Sequence, residues 1–229
     1  MRAGILLVLF AAVIVSGCTQ PEFAAENVTP SEPAVIPEFG PPPKVAASDI
    51  EVLIHGFVNQ ERARAGLGQL AMNQEVAHVA RAHSQDMAEN SYLSHEDLEG
   101  KLHNERLEDA NITYYNKSAE NLAEGTIVSG VYTVEGEVVS KDYRTEEELA
   151  QAMVEGWMES PGHRENIVTP GYDEAGTGVA VAPDNETYYF TQVFITRIEC
   201  GYRGGPCCET PGYLPWCYQP ASCTQNVCV

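Results

Sequence analysis

At 229 residues, with 33 acidic against 13 basic side chains and a formal net charge of −20, the chain lacks the cationic surface that polyanions demand. Phosphate-backbone binding draws on clustered Lys and Arg, so nucleic acid is excluded as a partner, and anionic lipid surfaces with it. The acidic excess reads as a solvated surface that favours solubility, and the length as one main domain with extensions.

Arg2 precedes an apolar run from Ile5 to Val15, which ends in Val15-Ser16-Gly17-Cys18. The run is shorter than the roughly 20 apolar residues of a membrane-spanning helix and has the layout of a secretory h-region with a lipobox. The expectation is a signal peptide over residues 1–17, cut before Cys18, with a diacylglycerol on Cys18 tethering the mature chain outside the cell membrane. Cleavage by an ordinary signal peptidase, giving a secreted protein, is the alternative. Residues 18–47 hold Pro21, Pro30, Pro33, Pro37 and Pro41-Pro42-Pro43, with Lys44 as their only cation, and predict an extended spacer.

Ser48 and Glu51 form a capping box ahead of Ile50, Leu53, Ile54, Phe57 and Val58, so a first helix is expected over about 49–64, ended by Gly66. Asn73 caps a second helix whose stripe, Val76, Val79, Ala80, His83 and Met87, runs to Asn90. Val131 to Val139 alternates about Glu135-Gly136 and predicts a peripheral hairpin. Thr145 and Glu148 open a third helix through Leu149, Met153, Val154 and Trp157, with Pro161 marking its stop.

Gly178–Val181 and Thr187–Ile198 read as antiparallel strands joined by Pro183-Asp184-Asn185. The second carries Tyr188, Phe190 and Phe194 on one face and Tyr189, Val193 and Ile195 on the other. A strand apolar on both faces belongs inside a sheet covered by helices on both sides. The expected fold class is α+β, a three-layer α-β-α sandwich with a mainly antiparallel central sheet. Residues 199–229 contain Cys200, Cys207, Cys208, Cys217, Cys223 and Cys228 among Gly and Pro, which predicts three disulfides stapling a small module. A zinc site there would lack both a Cys-x-x-Cys and a histidine. Asn27, Asn111, Asn116 and Asn185 head glycosylation sequons, so a glycoprotein is expected if they are used.

Several chemistries are set aside. Gly66-Leu67-Gly68 follows a helix and not a strand, there is no Gly-x-Ser-x-Gly elbow, and His78 and His83 are five residues apart, which turns them about 140° from each other on a helix. His83 on the apolar stripe reads as a satisfied core histidine, and His55 and His103 carry no pattern. Three polar segments remain: Ser94-His95 in the loop after the second helix, Ala119-Glu120-Asn121-Leu122, and Ser160-Pro161-Gly162-His163-Arg164-Glu165-Asn166-Ile167. His95 lies where functional residues collect. Glu120 beside Leu122 implies a buried or half-buried carboxylate, and His163 follows the Pro-Gly break. Two imidazoles and a carboxylate suit Zn²⁺ or another divalent ion and equally suit general acid–base work.

Leu53 with Asn59-x-x-Arg62-x-x-x-Gly66-Leu67, His83-Ser84-x-x-Met87, Tyr92-x-Ser94-His95, Glu120-Asn121-Leu122-Ala123, Trp157-Met158-x-Ser160-Pro161-Gly162-His163-Arg164-x-Asn166-Ile167, and Gly176-x-Gly178-Val179-Ala180 leading to Tyr189-Phe190-Thr191-Gln192-Val193-Phe194 resemble the CAP superfamily. This superfamily, also called the SCP domain, joins cysteine-rich secretory, antigen 5 and pathogenesis-related 1 proteins. The likeness covers about residues 48–198 and favours the bacterial and archaeal, lipoprotein-like branch. It implies an extracellular α-β-α sandwich with a central His/Glu cleft that holds a divalent metal in several members. By motif, His95 and Glu120 take family positions. Tyr189 and Ser160 stand where eukaryotic members carry a second His and a second Glu. His163 is then the substitute, Glu159 and Glu165 are weaker candidates, and Gln192 lines the cleft. The implied function is a membrane-tethered binding module for a divalent ion and a lipid, envelope or protein ligand. The alternative is a metal-assisted hydrolase of peptides or glycans, and a third arrangement makes the disulfide module the binding part.

Overall fold

A computed structural model describes residues 42–200, 205–208, 222–225 and 227–229. The signal peptide, Cys18, Asn27 and Cys217 lie outside the described residues. Helix α1 (Ala47–Arg64) buries Ile50, Ile54 and Val58 as their spacing predicts. Its expected capping box does not form: Ala46 is the N-cap, without a side-chain bond. Glu51 turns inward, where it accepts from Arg81 Nε (2.9 Å) and Nη2 (2.6 Å) and from the Val179 amide (3.0 Å). A carboxylate on a buried face must be paired, and these donors outcompete the helix end.

Strand β1 (Ala71–Met72) leads to α2 (Gln74–Asn90), where the Asn73 side chain accepts from the amides of Glu75 and Val76 as expected of a cap. A short α3 (His103–Asp109) then precedes β2 (Tyr115–Thr126), and neither was expected from the sequence. Strands β3 (Val128–Val134) and β4 (Glu137–Tyr143) form the expected hairpin, a separate two-stranded sheet. Its corner residues Glu135 and Gly136 have φ of 53° and 88°, as a tight two-residue hairpin turn requires.

Helix α4 (Glu146–Glu159) starts at the Thr145/Glu148 capping box. Pro161 ends it at Ser160 but opens another helix, α5 (Pro161–Ile167), and not a turn. Proline is preorganised for a first helical position, where its missing N–H costs nothing. His163 therefore sits on the first turn of a helix.

Strands β5 (Glu174–Val181) and β6 (Thr187–Arg197) pair antiparallel, as expected. The main sheet has the order β1-β5-β6-β2, with β1 parallel to β5 and the other pairs antiparallel. β6 is interior, and its two apolar faces serve two layers. Tyr188, Phe190 and Phe194 pack with Ile54, Val154 and Trp157 of α1 and α4, while Val193 and Ile195 pack with Val76 and Val79 of α2. Gly176 and Gly178 let α2 lie directly on β5, since a Cβ there would stand 2.2 and 2.1 Å from the amide nitrogens of Ala77 and Arg81. The result is the expected α-β-α sandwich.

β2 is an edge strand. Its outward carbonyls at Glu120 and Leu122 accept from Asn166 Nδ2 (3.3 Å) and Trp157 Nε1 (3.0 Å), which blunts the edge against pairing with another chain. Near the C-terminus, Cys200–Cys208 and Cys207–Cys223 are bonded and Cys228 is also disulfide-bonded. The strands β7 (Cys223–Thr224) and β8 (Val227–Cys228) pair beside them. Among the described residues no helix is long and apolar enough to cross a membrane.

Candidate functional site

The centre of the site is Glu120 on the edge strand β2. Leu122, on the same face of the strand, packs against Met87 of α2, whereas Ala119 and Ala123 face the α1/α4 core. Glu120 thus points into the α2/α3 side, and its side chain is 1% exposed. Both oxygens have donors: His95 Nδ1 at 2.9 Å from Oε1 and Arg106 Nη2 at 2.6 Å from Oε2. Arg106 lies on α3, anchored by the buried Leu107, and its Nη1 also donates to the carbonyls of His95 (3.0 Å) and Lys101 (2.7 Å). Its side chain is 10% exposed. The His95 side chain is 51% exposed, and because Nδ1–H donates to Glu120, Nε2 is the nitrogen offered to a ligand.

Three other imidazoles surround this core. His83 of α2 is buried and donates Nε2–H to the Ser94 carbonyl at 2.9 Å, fixing the loop that carries His95. His103, on the same helix as Arg106, shares a 3.0 Å hydrogen bond with Ser118 Oγ. His163 is half-buried and stands within electrostatic reach of His95. Its carbonyl accepts from Asn121 Nδ2 (3.1 Å), while Asn166 donates to Asn121 Oδ1 (2.8 Å). The three polar segments are therefore wired together, the second and third through Asn121 and Asn166.

The environments push these groups apart. The hydrogen bond to Glu120 raises the His95 pKa against the cost of burial, and the Glu120 charge adds to it. Burial pushes His83 and His103 below the ordinary histidine value, and burial together with nearby His95 lowers His163.

The other expected site residues fall elsewhere. Glu159 and Glu165 are exposed and do not join this hydrogen-bonded set. Gln192 is fully buried and donates to Thr177 Oγ1 at 3.2 Å, so it belongs to the covered sheet and does not line an open cleft. Arg106 and His103 were missed. Their one sequence signal is the spacing His103-x-x-Arg106-Leu107, which a seven-residue helix is too short to repeat. An open cavity of about 430 Å³ lies at the base of the β3–β4 hairpin, between Thr126, Val131, Lys141 and Glu186, and includes none of the His95 cluster.

A divalent ion fits this set poorly. Of the expected ligands, Glu120 is 1% exposed and carries a donor on each oxygen, one of them a permanent cation, so only the imidazoles of His95 and His163 remain, where a catalytic zinc takes three protein ligands. Among the described residues no group of three or more His, Cys, Asp or Glu is arranged to hold a metal ion.

A profile of CAP, the cysteine-rich secretory protein family, matches residues 55–194. The chain is 32% identical over 147 residues to the uncharacterized membrane protein YlbC of Bacillus subtilis strain 168, covering 64% of this chain and 34% of that one. It is 31% identical over 137 residues to the uncharacterized protein YkwD of the same strain, covering 60% and 44%. It therefore spans less than half the length of these curated relatives. The crystal structure of an extracellular protein containing an SCP domain from Bacillus anthracis strain Ames superposes with a TM-score of 0.51 at 26% identity, covering 66% of this chain and 41% of that one. An outer surface protein of Borrelia burgdorferi shares the fold, with a TM-score of 0.52 at 20% identity over 69% and 99% of the two chains. The motif order, the layered sheet and the family profile agree: this chain belongs to the CAP, or cysteine-rich secretory protein, family.

Proposed function

We propose that this CAP domain works outside the cell, tethered by a lipid on Cys18 and held off the membrane by the 18–47 spacer, as a binding module for an envelope component, a lipid or a partner protein. The observation that carries the reading is the half-exposed His95 imidazole held on a buried Glu120 that Arg106 also holds. A polar contact fixed before the ligand arrives loses less ordering entropy on binding. The similarity to an extracellular SCP-domain protein supports the location, as does the secretory pattern of residues 1–18. The reading does not depend on a divalent ion, for which the imidazoles of His95 and His163 alone fall one ligand short of a catalytic zinc site. Retention of the purified protein on an immobilised envelope fraction should drop at least tenfold with His95→Ala while the circular dichroism spectrum is unchanged; equal retention overturns the reading.

A hydrolase is the second reading, because an imidazole oriented by a carboxylate is also the arrangement of a general base. His95 Nε2 would take a proton from a water attacking a peptide or glycan bond. Turnover of a peptide and glycan panel that disappears with His95→Ala would favour it, and no turnover by the wild type would remove it.

A further inference from the structure

We infer that Arg106 is the built-in cation of this cleft: its guanidinium occupies the place on Glu120 that a divalent ion would need, so the site is organised without metal. The inference rests on the binding-module reading and separates it from metal-assisted hydrolysis. Three observations carry it.

First, the guanidinium is fixed at three points of the fold. Nη2 donates to Glu120 Oε2 on β2, and Nη1 to the carbonyls of His95 and Lys101 in the loop before α3. One cation thus joins the strand to the loop that carries the exposed imidazole, which is the organising work a bridging metal does. Second, the carboxylate is nearly inaccessible, 1% exposed, and its other oxygen is held by His95 Nδ1. A divalent ion could reach Glu120 only by displacing His95 from Oε1 or Arg106 from Oε2; the first gives up the imidazole it would need as a ligand in this geometry, and the second strands a guanidinium that is itself 10% exposed. Third, two carboxylates of the α2 end and the following loop are already engaged. Asp86 accepts from Tyr92 and Asn90, and Asp97 from the amides of Glu99 and Lys101. A guanidinium has no lone pair and no open coordination position, so it can hold and orient but cannot polarise a bound water as a metal does.

The test is a Zn²⁺ and Mn²⁺ titration by calorimetry of the oxidised full chain carrying Cys18→Ser, so that no thiol competes. Histidine NMR signals locate any binding. The wild-type cleft should show no stoichiometric site, and EDTA should leave the melting temperature unchanged. Arg106→Gln, which frees the carboxylate, should gain one Zn²⁺ site at least tenfold tighter than any wild-type binding and perturb His95, and Glu120→Gln in that background should abolish it. Arg106→Lys keeps a cation and should stay metal-free, which keeps the idea testable if Arg106→Gln does not fold. A wild-type site of one equivalent that is lost with His95→Ala overturns the inference, as does a folded Arg106→Gln that gains no metal. Envelope retention is measured separately, so failure here leaves the binding-module reading intact.

Discussion

Glu120 is where residue-scale chemistry is concentrated, because one buried carboxylate serves both a permanent cation and a titratable imidazole. Glu120→Gln leaves the Arg106 guanidinium buried without an anion. Breaking a buried pair in this way costs about 3–5 kcal/mol, and urea unfolding should show a loss of that order. The same substitution should lower the His95 pKa, followed by imidazole NMR, because the hydrogen bond to Glu120 is the main cause of its rise. The sign follows from that rise: the His95–Glu120 contribution to stability is fully present below the ordinary histidine value near 6.5 and is lost as pH climbs through the higher folded value. Of these residues, His95, Glu120 and His163 were legible as motif positions. Arg106 was not, since nothing in its immediate sequence says that its guanidinium will meet a carboxylate 14 residues away in the chain.

Elements differ in how far local pattern determines them. α2 and α4 are announced by cap residues and apolar stripes, and both form where the pattern places them. β2 is the opposite case: Tyr-Asn-Lys-Ser-Ala-Glu-Asn-Leu-Ala-Glu-Gly-Thr has few β-branched or aromatic residues, and intrinsic strand preference is a weak and context-dependent guide. It is a strand because it pairs with β6 from Tyr115↔Arg197 to Thr126↔Thr187 and has its outer carbonyls capped by Asn166 and Trp157. The close contact of α2 with β5 depends on two glycines. Gly178→Ala would push a methyl to 2.1 Å from the Arg81 amide nitrogen, and the three nearest atoms it meets are all α2 backbone. Overpacking against backbone at this distance should cost about 3 kcal/mol or more, measurable as a fall in the urea midpoint. Gly156→Ala, where a Cβ meets nothing within 4 Å, should be neutral or stabilising.

At the scale of the whole molecule, charge and buried histidines set the response to solution conditions. His55, His83 and His103 are all held below the ordinary histidine value, with burial as the main cause. A lowered folded pKa means that the unfolded chain binds protons first as pH falls, so each withdraws stability below about pH 6.5, opposite in sign to His95. Imidazole NMR titrations of the folded protein should therefore place all three midpoints below the ordinary histidine value, and a midpoint above it would contradict the burial of that imidazole. With a net charge of −20, self-repulsion also opposes the compact state.

The disulfide-bearing tail and the apolar β6 were readable from the sequence, because each is a local matter of composition, spacing or period. The family likeness extended this to the order of the motifs. Only the tertiary structure decided what surrounds Glu120. Strand pairing brought residue 120 to the sheet edge, α3 carried Arg106 against it, and α5 turned His163 from a turn residue into a helical one. Side chains distant in sequence meet only when layers pack. The pairing of one carboxylate with an imidazole and a guanidinium is thus a property of the sandwich and not of any segment within it.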